Sequence, residues 1–178
     1  MKVQKQVKTM DNKIAEMTIT ALFIAFTYIA TRFINITLPI PGAGGLVHLG
    51  NVPVYVAAIL FGRKTGALSG AFGMALFDLT SGWTIWAPFT FITLFIEGYT
   101  VGAITSRRKG PAVILIAMAA AMGIKCVGYY IAEVMLYHNF ITPLYSVMAN
   151  VTQVAVAGVI TFLLVPVLNK VKEQLTTN

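Results

Sequence analysis

Six apolar runs, separated by short basic segments, set the limits on what this chain can fold into. They cover about residues 14–35, 50–61, 66–80, 88–105, 111–136 and 144–168. A helix of roughly 20 apolar residues is long enough to cross the hydrocarbon core of a bilayer. The second run is short for a span. Charged residues make up 11% of the 178-residue chain, against about 25% in an ordinary soluble domain. A soluble protein of this size could not cover so apolar an interior with polar surface.

The charges between the runs fix an expected orientation. Eleven of the thirteen basic residues fall in four places: Lys2, Lys5, Lys8 and Lys13; Arg63 and Lys64; Arg107, Arg108 and Lys109; Lys170 and Lys172. With six crossings all four clusters share one side, and an odd number would scatter them. The positive-inside rule then puts both termini in the cytoplasm. The net charge of +7 follows this pattern, which points to a membrane rather than to nucleic acid. The first run is too long for the core of a secretory signal, and no clear cleavage site follows it. It is read as a retained helix behind a basic tail (residues 1–13) that rests on anionic lipid. The expectation is one domain over residues 1–178: an all-α membrane protein, a single bundle of six transmembrane helices with both termini cytoplasmic, in a bacterial or archaeal cell membrane.

That topology puts the segment PIPGAGGLVHLGNVP, residues 39–53, on the outside. Pro39 and Pro41 stiffen its entry, and Gly42, Gly44 and Gly45 let it bend. His48 and Asn51 are its candidates for touching a ligand. A histidine there also suits an ordinary interface position.

Ionisable groups inside apolar runs are costly and usually face a bundle interior or a cavity. This chain has Asp78, Glu97, Lys125 and Glu133 in such places. Lys125, Tyr129 and Glu133 recur every four residues, so they share one face of the fifth helix. Thr90, Thr93, Glu97 and Thr100 share a face of the fourth. Ser146, Asn150 and Gln153 share a face of the sixth. These stripes predict an outward-facing polar pocket between helices 4, 5 and 6, with Asp78 at the same end and Trp83, Trp86, Tyr129 and Tyr130 available as walls. Plainer readings stand beside this one. Lys125 and Glu97 suit a structural ion pair, the threonines suit bonds to their own backbone, the tryptophans suit an interfacial belt, and Asp78 suits a helix end near water.

Other chemistries lack their residues. No GxxxxGK[ST] loop is present to hold a nucleotide phosphate. Two scattered histidines and the single Cys126 make a poor metal site, and no nucleophile has an evident partner. No cofactor is expected. Ala21 and Ala25 on the first helix, and Gly66, Gly70 and Gly73 on the third, form small-residue faces that allow close helix approach. Packing within the chain is expected for the third helix and a partner for the first.

Taken together, these residues resemble the substrate-binding S components of energy-coupling factor (ECF) vitamin transporters. The resemblance covers nearly the whole chain. It rests on the size, the six runs, the Ala21-xxx-Ala25 face, the long loop before helix 2 (a lid over residues 36–50), and the stretch HLGNVPVYVAAILFGRKTGALSGAFGMALFDLTSG, residues 48–82. It implies a high-affinity vitamin-binding subunit of an ABC-type importer. Its partners would be a transmembrane coupling (T) protein, which Ala21 and Ala25 would contact, and two cytoplasmic ATPases. The subunit would topple in the membrane to deliver its cargo. The chain is most similar to members for hydroxymethylpyrimidine or pyridoxine-like compounds, with riboflavin and thiamin ranked below. The substrate-binding candidates are His48, Asn51, Asp78, Trp83, Trp86, Glu97, Lys125, Tyr129, Glu133, Asn150 and Gln153. One lysine set against several acids does not suit a polyanion. Two other classes compete: a small membrane enzyme using Glu97, Lys125 and Glu133 as acid and base, and a structural membrane subunit without a ligand.

Overall fold

A computed structural model of the protein describes residues 2–37, 46–108 and 110–177. Residues 38–45, which hold Pro39, Pro41, Gly42, Gly44 and Gly45, lie outside the described residues, as does Lys109. Among the described residues there are six α-helices, α1 (Lys2–Phe33), α2 (Asn51–Phe61), α3 (Arg63–Thr80), α4 (Ala87–Arg107), α5 (Pro111–Tyr137) and α6 (Pro143–Thr177), and one short 3-10 turn (Thr84–Trp86) before α4. One departure from an all-α chain precedes α2. Strand β1 (Asn35–Thr37) pairs antiparallel with β2 (Leu46–His48), setting Asn35 opposite His48. The described part of the expected lid is thus a β-hairpin, which carries His48 back onto the bundle.

Four helical stretches are long and apolar enough to cross a membrane: Asn12–Phe33, Thr84–Arg107, Pro111–Tyr137 and Pro143–Lys170. The other two helices are central. At about 1.5 Å per residue, the 11 residues of α2 reach only about 16 Å. Val54, Tyr55, Ala57 and Ala58 are nearly inaccessible, and Val54, Tyr55 and Ala58 pack with Met74, Leu94, Val101, Ala121 and Val154 in the main core. Helix α3 is rich in glycine, serine and alanine, and most of it is buried. Its modest hydropathy follows from a face made of backbone rather than large side chains.

That face sets the closest helix crossing. A Cβ placed on Gly98 would lie 2.4 Å from the Gly66 carbonyl oxygen, and one on Gly102 would lie 2.4 Å from the Arg63 Cα. Gly70 abuts Leu94, and Gly73 abuts Thr27 of α1. The small-residue face of α3 therefore packs within the chain. Ala21 and Ala25 of α1 are exposed, together with Thr18, on the side turned away from the buried Thr20, Thr27 and Thr31.

The two ends of the bundle differ in chemistry. The Arg63–Gly102 contact joins the start of α3 to the last turns of α4. Ile59, Thr105, Arg108, Val113, Val165 and Asn169 border one small hollow, which brings the ends of α2, α4 and α6 to the start of α5. Arg63, Arg107, Arg108 and Lys170 thus gather at one end. At the other end α1 is clasped to α3 by Arg32 Nη1 donating to Ser81 Oγ (2.9 Å) and by Tyr28 and Thr80 (3.1 Å). There α5 stops at His138, in the left-handed conformation (φ 51°), whose N–H bonds the Val134 carbonyl as a C-cap.

The glycine crossing gives a paired prediction. Gly98→Ala drives a methyl group into the α3 backbone and should destabilise the protein by about 1–3 kcal/mol. Gly123→Ala, on α5 with no neighbour within 4 Å, should leave stability unchanged or raise it by up to about 1 kcal/mol through helix propensity. Thermal unfolding of both variants in detergent checks the contrast.

Candidate functional site: a polar cavity floored by a buried network

The polar end encloses a cavity of about 50 Å³. Its walls come from more elements than the stripes indicated. Asp78 of α3, Trp83 and Trp86 of the connection to α4, and Thr90 of α4 form one side. Lys125, Tyr129 and Glu133 of α5 form another, and Asn150 and Gln153 of α6 a third. The hairpin closes the cavity with Leu46 and His48. The site is thus not confined to helices 4, 5 and 6, because α3 ends beside it and β2 folds over it.

Along α5, Lys125 and Glu133 lie two turns apart, so their backbones differ in height by about 12 Å. Lys125 occupies the deep end. Tyr129 stands between the two, its hydroxyl 3.1 Å from Thr90 Oγ1 and its ring 6.2 Å from that of Trp86. Asp78 is 8% exposed and Glu133 1%, and each keeps one carboxylate oxygen without any donor.

Beneath the cavity lies a network on which Lys125 depends. Its ammonium donates to Asn51 Oδ1 at 2.9 Å. The Asn51 amide nitrogen donates to Glu97 Oε1 at 2.7 Å, and the Tyr55 hydroxyl donates to the same oxygen. Lys125 and Glu97 therefore do not form the direct ion pair considered from the sequence. They are joined through Asn51. Asn51 and Glu97, both expected at the ligand, are fully buried below the cavity and absent from its lining. A carboxylate only accepts hydrogen bonds, so Glu97 fixes which end of the Asn51 amide points at Lys125.

Gln153 and His48 extend this network to β2. Gly50 N–H donates to His48 Nδ1 (3.2 Å), which leaves the ring proton on Nε2. The inner amide atom of Gln153 then faces two donors, Lys125 Nζ at 3.0 Å and His48 Nε2 at 3.2 Å, against one acceptor, Asn51 Oδ1 at 2.8 Å. Two donors outweigh one acceptor, so we assign this atom as oxygen; the amide nitrogen then donates to the Leu46 carbonyl at 3.3 Å. Burial, and secondarily the Lys125 charge, holds the His48 pKa well below that of a free histidine, so the ring stays neutral.

Three further residues depart from expectation. Tyr130 is not a wall, since its hydroxyl donates to the Phe140 carbonyl on the α5–α6 connection. Thr93 turns to Gly128 and to an apolar groove between α4 and α5, away from the polar cavity. Tyr55 was missed, although it sits four residues after Asn51 on the same helix face, a spacing that could have revealed it.

Comparison with known proteins identifies the family. A family model for the S component of ECF-type riboflavin transporters matches residues 11–170. The chain belongs to the ECF-type S components. This S component is 31% identical over 165 residues to the thiamine precursor transporter HmpT of Lactococcus lactis subsp. cremoris (strain MG1363), covering 92% of this chain and 93% of that protein. It is 29% identical over 102 residues to an uncharacterized protein of Pyrococcus woesei, covering 57% of this chain and 68% of that one. The protein is a transport subunit, and the enzyme reading of Glu97, Lys125 and Glu133 falls with that assignment.

Replacing Asn51 tests the network directly. Asn51→Ala leaves two buried charged groups without their shared partner and should cost about 3–5 kcal/mol. Tyr55→Phe removes a single donor to Glu97 and should cost about 1–3 kcal/mol. Unfolding of ligand-free protein in detergent ranks the two.

Proposed function

We propose that this S component binds a small aromatic vitamin precursor, a hydroxymethylpyrimidine or a pyridoxine-like compound, in the cavity above Lys125. The observation that carries the reading is the lining itself. One ammonium lies at the deep end, two carboxylate oxygens lack donors, and Trp86 and Tyr129 stand between them. A single ring with amino and hydroxyl substituents complements each of these. The name of the Lactococcus relative points the same way. His48, Asp78, Trp83, Trp86, Lys125, Tyr129, Glu133, Asn150 and Gln153 are assigned to the ligand, and Asn51 and Glu97 to holding Lys125.

In this reading the protein sits in the cell membrane with six helices across it, α2 reaching only part of the way, and both termini in the cytoplasm. The gathering of basic residues at the end opposite the cavity supports that orientation through the positive-inside rule. The cavity then opens outward, with Leu46 and His48 of β2 in its lining. A coupling T protein and two ATPases complete the importer, with the exposed Ala21–Ala25 face of α1 as the docking surface.

Mass spectrometry of small molecules released from detergent-purified protein should find such a ring compound, and titration with it should quench tryptophan fluorescence. Trp86→Ala should weaken binding at least about tenfold, the value of a lost stacking pair plus its buried area. Ala21→Leu should abolish uptake in cells while leaving binding intact. If no vitamin-sized compound is found or bound, the proposal fails.

A further inference from the structure

The hydrogen-bonding capacity of the cavity is lopsided, and the imbalance selects among forms of one ligand. Among the described residues Lys125 is the only cation in the lining. Its ammonium has three N–H groups. One is engaged by Asn51 Oδ1 and a second by the Gln153 amide oxygen, so one remains for a ligand. Glu97 lies directly below Asn51 and already offsets the lysine charge. His48 is neutral, and its Nε2–H points at Gln153. Glu133, two turns along α5 from Lys125, and Asp78, near the end of α3, each present a buried oxygen without a donor among the described residues.

From this arrangement we infer that Asp78 and Glu133 form a filter that admits the free alcohol or amine of the vitamin precursor and rejects its phosphate ester. The inference rests on the binding reading above and deepens it. An acceptor on the ring, such as a ring nitrogen, takes the last Lys125 N–H at the deep end. Donors on the ring, an amino group and a hydroxyl, fill the free oxygens of Glu133 and Asp78. The two polar ends thereby orient the ligand along the Tyr129 and Trp86 rings. A phosphate has no acceptable place in either orientation. Beside Glu133 and Asp78 its charge meets two acids, a like-charge contact that opposes binding. At the deep end a single free N–H above Glu97 cannot satisfy three anionic oxygens.

Three pairs of probes test the filter on detergent-purified, ligand-stripped protein: hydroxymethylpyrimidine, pyridoxine and riboflavin, each against its phosphate monoester, by tryptophan-fluorescence titration. For whichever alcohol binds, the ester should bind at least about a hundredfold more weakly. Glu133→Gln and Asp78→Asn keep shape and remove charge. Each should weaken the alcohol yet narrow the alcohol-to-ester ratio at least about tenfold. A purely structural role for the acids would weaken both ligands together and leave the ratio unchanged, which overturns the filter. An ester that binds wild type within about fivefold of its alcohol overturns it as well, while leaving the vitamin reading standing. Binding of none of the alcohols removes the vitamin reading and the filter with it.

Discussion

A single carboxamide, that of Asn51, reconciles a lysine and a glutamate buried in the middle of a greasy bundle. Each charged group alone would carry a desolvation penalty of several kcal/mol. Neither reaches the other directly. Asn51 offers an oxygen to Lys125 and a nitrogen to Glu97, and the orientation is forced because Glu97 cannot donate. Tyr55 adds a second donor to the same Glu97 oxygen. Helix α2 is short because its role is to bring Asn51 and Tyr55 to this point, and its remaining residues are core. The Lys125 head group, held from below, becomes a fixed donor at the base of a cavity rather than a flexible cation.

Separation of chemistry along the bundle follows from the same economy. Charges that need water or lipid headgroups collect at the end where α2, α4 and α6 finish and α5 begins. Polar groups that need each other collect at the opposite end, where α3 stops and the hairpin returns. The close backbone contact of α3 with α4 holds the second group in register. Gly66, Gly98 and Gly102 let those helices meet with no side chain between them, so Asp78 and Thr90, both beyond the same end of that contact, are fixed relative to each other.

Much of this was legible in the sequence for a definite reason. Helical spacing of polar residues inside an apolar run is visible without coordinates, and Lys125, Tyr129 and Glu133 do line one wall, as do Asn150 and Gln153. Two parts were not legible. Spacing shows which residues share a face but not how deep another helix buries them. Asn51 and Glu97 therefore looked like ligand contacts but are buried outside the cavity lining, and the bridge between Lys125 and Glu97 could not be told from a direct pair. The hairpin was hidden because β1, with all three of its residues exposed, has no inward-facing alternation to read. Its partner strand is recognisable only through the backbone pairing that returns His48 to Gln153.

The ligand-free cavity holds an energetic asymmetry that the fold does not need for itself. A buried polar atom without a partner costs about 1–3 kcal/mol, and Asp78 and Glu133 each leave one oxygen in that state. Glu97 Oε2, below the cavity, is in the same state. At Asp78 and Glu133 a donor entering the cavity can relieve the penalty. A ligand that donates to both therefore recovers that free energy on binding, in addition to what its ring gains against Trp86 and Tyr129. His48 ties this gain to the hairpin, since the same Gln153 that steadies Lys125 also touches the His48 ring and the Leu46 carbonyl. Lys125 and β2 are thereby joined through one glutamine side chain.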